Sequence, residues 1–255
     1  MATEPILVLE DVVAGYGPIA ILHDLGLTVA PARITTMIGP NGAGKSTVFK
    51  AIFGLLPLAS GDIRFAGERI VGLGPRALLA RGIAYVPQGR NLFPELSVRH
   101  NLELGGITLT DRRVLARRMA AVMGRFPALL EKADNQASTL SGGEQKMLEI
   151  ARVLLLEPRL ILIDEPSIGL APNLVSGVFG ILEGLHESGV TVVMVEQNAR
   201  KALAISDDAL VLEQGRLALA GAARDILEDP RIGALFLGGG VVAADEAAAP
   251  PGSPP

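Results

Sequence analysis

The sequence predicts an α/β protein in which helices cover both faces of a mainly parallel β-sheet. Two observations lead to this fold class. Apolar runs of strand length alternate with helical patterns along most of the chain. In addition, the β-rich run 34–38 ends in a glycine-rich loop, after which Val48, Ile52 and Leu55 recur at the spacing of a helix. This part of the chain therefore has the order strand, glycine loop, helix.

Further apolar runs mark the other elements. The runs that predict strands are residues 6–13, 25–29, 83–86, 160–163 and 191–195. Residues 98–130 carry arginines among apolar residues, which predicts amphipathic helices. These arginines either contact phosphate or, the alternative we favour, form a solvated helical face. They are Arg112, Arg113, Arg117 and Arg118.

Composition limits the function. With 255 residues, the chain can form one large domain, or a domain with a subdomain, around a sizeable core. Its formal net charge of -4 does not support general nucleic-acid binding. The absence of cysteine excludes disulfides and thiolate metal sites. No apolar stretch approaches the roughly 20 residues that span a bilayer, so we expect any work at a membrane to depend on a partner.

Residues 39–46 match the phosphate-loop pattern G-x-x-x-x-G-K-[ST] at every fixed position. Glycines let backbone N–H groups turn onto phosphate oxygens, and the following helix adds the positive end of its dipole. Lys45 supplies a positive charge for the β- and γ-phosphates, and the Ser46 hydroxyl is a ligand for Mg²⁺. We therefore expect the following residues to bind ATP: Gly39, Pro40, Asn41, Gly42, Ala43, Gly44, Lys45, Ser46 and Thr47.

Asp164 and Glu165 follow the apolar run 160–163, at the strand end where an open α/β sheet binds its ligands. Asp164 fits the role of holding Mg²⁺, directly or through water. Glu165 is then placed to orient and deprotonate the attacking water. Two acids after a strand are by themselves often an ordinary solvated loop, but combined with the phosphate loop they favour catalysis.

The motif Leu-Ser-Gly-Gly-Glu-Gln at residues 140–145 adds a third element. Its serine can cap a helix, and the two glycines let the backbone approach a phosphate closely. Together with the phosphate loop upstream and the Asp-Glu pair downstream, it resembles the LSGGQ signature of ABC ATPases. The resemblance covers roughly residues 7–221.

The resemblance implies a P-loop NTPase (RecA-like) fold, with a mainly parallel sheet, an antiparallel β subdomain and an inserted α-helical subdomain. A single ABC ATPase domain would cover residues 5–238, with the helical subdomain at roughly 96–157. Residues 239–255 are small, Pro-rich and Ala-rich, and we expect them to be a disordered tail.

The resemblance also implies that two such domains pair head to tail, so that the signature of one completes the phosphate loop of the other. Ser141, Gly142 and Gly143 would bind the partner's ATP, with Ser141 and Gly143 acting on its γ-phosphate. Tyr16 matches the aromatic residue that stacks on adenine; the alternative is an exposed aromatic in a glycine-rich turn. Gln88 matches the Q-loop glutamine that reaches Mg²⁺ and the attacking water.

Gln197 stands where many ABC ATPases have a switch histidine. Its amide can donate a hydrogen bond to the γ-phosphate, but it cannot titrate near neutral pH. Because Glu165 keeps the role of the base, we still expect hydrolysis. After Gln88, residues 89–96 resemble the surface that receives the coupling helix of a membrane subunit. Three apolar residues there either contact that helix or belong to the core: Leu92, Phe93 and Leu96.

Three loops together resemble the LivF-type ATPases of branched-chain amino acid importers: residues 87–94, 167–172 and 195–198. In that family a second ATPase subunit, the same or a paralogous chain, completes the pair. Two transmembrane permease subunits form the pathway, and a solute-binding protein captures the substrate. The chain would lie on the cytoplasmic face of the inner (plasma) membrane. Urea and short-chain amide importers have nearly the same loops, which leaves urea as an alternative substrate.

A soluble ABC ATPase of translation or DNA repair is the alternative from another class. Such proteins usually carry two cassettes or a long coiled-coil insertion between phosphate loop and signature. Here about 95 residues separate Lys45 from Ser141, and there is no basic extension for nucleic acid. The three histidines are not at metal-ligand spacing, so Mg²⁺ is the metal we expect.

Overall fold

The computed structural model describes residues 4–89 and 91–232. Its strands are β1 (Leu7–Tyr16), β2 (Ile19–Val29), β3 (Ile34–Ile38), β4 (Leu58–Phe65), β5 (Glu68–Arg69), β6 (Ile83–Val86), β7 (Leu160–Asp164), β8 (Thr191–Val195), β9 (Asp208–Glu213) and β10 (Arg216–Ala222). Its helices are α1 (Lys45–Ile52), α2 (Pro75–Ala80), α3 (Val98–Gly105), α4 (Arg112–Arg125), α5 (Pro127–Glu131), α6 (Gly142–Leu154), α7 (Pro172–Glu187), α8 (Ala199–Ala204) and α9 (Ala223–Glu228). The tail expected at residues 239–255 lies outside the described residues.

The larger sheet has the strand order β10-β9-β3-β8-β7-β6. All neighbours in it are parallel except β10, which runs antiparallel to β9. The prediction of a mainly parallel sheet is therefore confirmed. Because β3, β6, β7 and β8 run in one direction, their carboxyl ends meet at the same edge, where such sheets bind ligands.

Alternate side chains of β7 enter two different apolar clusters. Leu160 and Leu162 pack with the smaller sheet and with α1 and α2, whereas Ile161 and Ile163 pack with α3, α6 and α7. Both faces of the strand are buried, which explains why it is apolar at successive positions rather than alternating. The prediction that helices cover both faces of this sheet is confirmed.

The smaller sheet is antiparallel, with the order β2-β1-β4-β5. Its β1–β2 hairpin continues to the pair Tyr16 and Ile19, beyond the predicted runs 6–13 and 25–29. The outer part of the hairpin is exposed, so it lacks the apolar pattern that marks a strand in the sequence.

The turn between β9 and β10 holds the smaller sheet against the phosphate loop. The Gly215 N–H donates to the Ala43 carbonyl, and the His23 N–H donates to the Gly215 carbonyl, both over 3.0 Å. A Cβ at Gly215 would lie 1.8 Å from the carbonyl oxygen of Ile21. Only glycine fits this close approach of two backbones.

Helices α3 to α6 lie between β6 and β7, where the inserted helical subdomain is expected; its bounds of roughly 96–157 stay a prediction. Leu55, which the periodicity places on the first helix, lies beyond its end, because α1 stops at Ile52. The chain turns there at Gly54, which has a φ of 67° and lies against the carbonyl of Leu73. None of the helices in the described ranges combines the length and the apolar character needed to cross a bilayer.

Candidate functional site

The phosphate loop runs from the end of β3 to the start of α1, as the sequence predicts. Gly39 has a φ of 151°, and a Cβ there would lie 2.1 Å from the carbonyl oxygen of Leu212. The loop is thus pressed against β9, which requires glycine at this position. Gly44, with a φ of 97°, directly precedes the first helical residue, so the loop leads into the amino end of α1.

Lys45 is buried at the centre of this loop. Its ammonium donates hydrogen bonds to the carbonyl oxygens of Gly39, over 2.8 Å, and Pro40, over 3.0 Å. Burial lowers the pKa of Lys45, while the nearby carboxylates of Glu165 and Asp164 act in the opposite direction. The positive charge of Lys45 therefore lies inside the loop that is predicted to bind phosphate.

Asp164 ends β7 and is almost fully buried beside the loop. The Ser46 hydroxyl donates to its Oδ1 over 3.1 Å, and the Tyr85 hydroxyl donates to its Oδ2 over 3.2 Å. Burial raises the pKa of Asp164, and these two hydrogen bonds oppose the shift. A hydroxyl and a carboxylate oxygen side by side fit the oxygen-ligand preference of Mg²⁺.

Glu165 receives the amides of the two other predicted catalytic residues. Gln88 Nε2 donates to Oε2 over 2.8 Å, and Gln197 Nε2 lies 3.0 Å from Oε1 and 3.1 Å from Oε2. Glu165 has a φ of 49°, an unusual conformation for a residue other than glycine, and its N–H donates to the Val195 carbonyl. Residues that follow three different strands thus meet at one carboxylate.

Two buried residues of this region are not among the predicted site residues. Tyr85 reads in the sequence as one more apolar position of a strand. Burial, together with the neighbouring Asp164 carboxylate, raises the pKa of Tyr85 well above its ordinary value, so its hydroxyl stays a donor.

Glu196 accepts hydrogen bonds from Ser167 N and Oγ, each over 2.8 Å, and from Gln197 N over 3.2 Å. An acid that directly follows a fully buried strand is the sequence signal that could have identified Glu196.

Tyr16 lies at the end of β1, and the residue is 46% exposed. Lys50, on α1, donates to its hydroxyl over 3.1 Å and places its ammonium 5.5 Å from the ring centroid. The structure therefore positions an accessible aromatic ring beside the helix that follows the phosphate loop.

Ser141 begins α6 through a capping box with Glu144. The Glu144 N–H donates to Ser141 Oγ over 3.4 Å, and the Ser141 N–H donates to the Glu144 carboxylate over 2.9 Å. Gly143 packs beside Leu174, to which a Cβ would come within 3.2 Å. In the part of the chain that the structure describes, no hydrogen bond joins Ser141 to the phosphate loop.

Side chains of α6 hold the segment after Gln88. The buried Glu149 carboxylate accepts from the Asn91 N–H over 2.7 Å and pairs with Lys146. The Arg152 guanidinium lies 5.5 Å from the Phe93 ring centroid. Leu92 packs against the core, whereas Phe93 and Leu96 are exposed.

Comparison with known proteins identifies the family of this chain. The family model described as ABC transporter matches residues 22–168. The high-affinity branched-chain amino acid transport ATP-binding protein BraG of Pseudomonas aeruginosa is 44% identical over 233 residues, covering 91% of this chain and 100% of BraG. The probable branched-chain amino acid transport ATP-binding protein LivF of Archaeoglobus fulgidus is 38% identical, covering 88% of this chain and 95% of LivF.

Among solved structures, the ADP conformation of MJ1267, an ATP-binding cassette of an ABC transporter, superimposes with a TM-score of 0.84. It is 28% identical and covers 92% of this chain and 100% of MJ1267. The family model, the relatives and the fold agree: this chain belongs to the ABC transporter family, as an ATP-binding and ATP-hydrolysing subunit.

Proposed function

We propose that this chain is the motor subunit of an importer for branched-chain amino acids. The observation that carries the ATPase role is the convergence of Gln88 and Gln197 on Glu165, next to Lys45 and Asp164. Two relatives that are described as branched-chain amino acid transport ATP-binding proteins support the substrate, because each aligns with nearly its full length.

In the proposed site, residues 39–47 bind the phosphates of ATP through backbone N–H groups and the Lys45 ammonium. Tyr16 stacks on the adenine, which its exposure beside α1 supports. Ser46, Gln88 and Asp164 hold Mg²⁺ through oxygen atoms. Mg²⁺, when bound, neutralises charge on the β- and γ-phosphates.

Glu165 acts as the base that orients and deprotonates the attacking water. Its carboxylate is held on both oxygens by side-chain amides, which fixes the plane of the group without supplying a positive charge. An amide at position 197 therefore orients the base. To donate to the γ-phosphate as well, the same Nε2 gives up its contact with one of the two carboxylate oxygens. No step of this scheme needs a titrating side chain at position 197.

Ser141, Gly142 and Gly143 act on ATP held by a second ATPase subunit, either the same chain or a paralogue. The capping box supports this, because it fixes Ser141 at the amino end of α6 with the helix dipole behind it. ATP favours the closed pair because it contacts both subunits there, and hydrolysis removes that preference.

Transmembrane permease subunits dock beside residues 89–96 on the cytoplasmic face of the membrane. The exposed Phe93 and Leu96 support this, as does a cavity of about 290 Å³ bordered by α3, α6 and the segment after Gln88. The solute-binding protein contacts the permease subunits and not this chain.

The catalytic proposal is tested with Glu165→Gln. We expect almost no phosphate release and accumulation of an ATP-bound pair, because the amide keeps the size of the side chain but cannot take the proton. The matched control is Glu187→Gln, at the exposed end of α7, which should hydrolyse ATP normally. Near-normal steady-state ATPase activity in Glu165→Gln would refute the assignment.

The cargo is tested by deleting the gene and measuring uptake of labelled leucine, isoleucine, valine and urea. We expect loss of amino acid uptake, restored by the wild-type gene and not by the Glu165→Gln allele. Loss of urea uptake alone would contradict the proposal of a branched-chain amino acid substrate but would agree with the proposed role as motor subunit. Co-purification with ribosomes or DNA in place of permeases would overturn the transport role itself.

A further inference from the structure

Tyr85 lies on β6, beside the strand whose end carries Asp164. The strands are parallel, and Tyr85 is opposite Leu162, two residues before that carboxylate. The Tyr85 hydroxyl donates to Oδ2 of Asp164 over 3.2 Å, and both side chains are buried. Tyr85 therefore occupies one of the two oxygens of the carboxylate that we assign to Mg²⁺.

The second oxygen of Asp164 faces the helix of the phosphate loop. Oδ1 accepts a hydrogen bond from the Ser46 hydroxyl over 3.1 Å. The Tyr85 ring packs on the same helix and on the residue that caps it, with its centroid 6.1 Å from that of Phe49 and 5.5 Å from that of Phe53. Tyr85 thus connects the strand that carries Asp164 with the helix that carries Ser46.

We infer that Tyr85 is a positioning residue for Mg²⁺, because its hydroxyl fixes the Asp164 carboxylate with Oδ1 towards Ser46. The inference rests on the metal role proposed above for Asp164 and Ser46. Mg²⁺ demands near-ideal octahedral geometry, so its affinity depends on how firmly each oxygen is held. The phosphates are bound mainly by loop amides and Lys45, so loss of the hydroxyl should weaken metal binding and spare metal-free nucleotide binding.

The test is Tyr85→Phe, which removes one hydroxyl and keeps the ring that packs on α1. Binding of the non-hydrolysable analogue AMP-PNP is measured by calorimetry during a Mg²⁺ titration and again in EDTA. Mn²⁺ bound to the AMP-PNP complex is followed by electron paramagnetic resonance, which does not depend on turnover. We expect the metal affinity to fall about tenfold, as is typical when a group that orients a metal ligand is lost, and the affinity in EDTA to stay within about twofold.

Two further variants separate the possible failures. Asp164→Asn removes the negative charge of the assigned ligand and leaves only a neutral amide oxygen, so it should weaken metal binding at least as much as Tyr85→Phe. Thr35→Val removes another buried hydroxyl from the same sheet, one without a hydrogen-bond partner among the described residues, and should leave metal affinity unchanged.

An unchanged metal affinity in Tyr85→Phe, with a clear loss in Asp164→Asn, would overturn the inference and leave the proposed metal site intact. No loss in Asp164→Asn would refute the metal site and the inference together. Equal weakening of AMP-PNP binding with and without metal, or the same loss in Thr35→Val, would show that the hydroxyl serves packing only and would also overturn the inference.

Discussion

Replacing Glu196 should show how much the position of Gln197 depends on this buried carboxylate. Glu196 is 1% exposed, and its carboxylate accepts hydrogen bonds from Ser167 N, Ser167 Oγ and Gln197 N. Glu196→Ala removes all three acceptor contacts at once. Because Gln197 is held through its backbone by this carboxylate, its side chain should lose its fixed position on Glu165.

The expected loss of stability follows from these contacts. A fully buried donor left without a partner costs about 1–3 kcal/mol. Because Ser167 is only half-buried and Gln197 is exposed, water can partly replace the carboxylate, so the three donors together set a range of about 3–5 kcal/mol. Removing a buried carboxylate recovers its own desolvation cost, which favours the lower end of the range. We therefore expect Glu196→Ala to reduce the free energy of unfolding by about 3 kcal/mol.

Glu196→Gln distinguishes hydrogen bonding from charge. Its amide oxygen can still accept from Ser167 N, and the Ser167 hydroxyl can rotate to accept from the new amide nitrogen. The Gln197 N–H then faces a donor, so the expected loss is about 1–2 kcal/mol.

Equilibrium urea unfolding of the three proteins gives these free energies, and single-turnover hydrolysis gives the effect on catalysis. Glu187→Gln is the surface control and should change stability by less than about 0.5 kcal/mol. The reasoning is refuted if Glu196→Ala is as stable as the wild type, or if Glu196→Gln is the less stable of the two Glu196 variants.

Three other outcomes are expected. Gln197→Ala should slow single-turnover hydrolysis less than Glu165→Gln does, because Gln88 still holds the base in the former; the reverse order would contradict the assignment. Glu149→Ala should cost about 3–5 kcal/mol in urea unfolding because it leaves Lys146 buried without its partner, whereas Lys146→Met combined with Glu149→Leu should recover much of that loss. Burial raises the pKa of Glu196 above its ordinary 4.5, so the folded chain takes up a proton there before the unfolded chain does. The wild type should therefore gain stability relative to Glu196→Gln as the pH falls from that raised pKa towards 4.5. The urea midpoints of both proteins are measured across this range. If the two midpoints change with pH in the same way, the pKa of Glu196 is not raised.

The sequence predicts the phosphate loop and the strand ends well because each of these motifs is contiguous. Residues 39–46 carry loop, lysine and serine together, and parallel strands that end at one edge bring Gln88 and Glu165 within reach of each other. The fold class was accessible for the same reason, since strands buried on both faces are apolar throughout.

What the sequence could not predict depends on pairings between distant residues. The Tyr85–Asp164 hydrogen bond joins positions 79 apart and follows from the register of β6 against β7. Glu196 lies 29 positions from Ser167, and Glu149 lies 58 from Asn91, so neither contact has a local pattern. The exposed half of the β1–β2 hairpin was missed because exposure removes the apolar signal itself.

The bonds of Lys45 to the carbonyls of Gly39 and Pro40 bear on which ligands the loop can select. An ordered lysine has already given up its rotamer freedom, which is worth up to about 2 kcal/mol for a long side chain. An incoming ligand therefore exchanges acceptors around a prearranged ammonium rather than freezing a mobile one. A neutral acceptor would only replace one carbonyl by another and gain little, whereas an anionic oxygen forms the stronger, charge-assisted bond. Because Lys45 already bonds two neutral carbonyls, the loop favours anionic phosphate over neutral ligands without any contact to the base or the ribose.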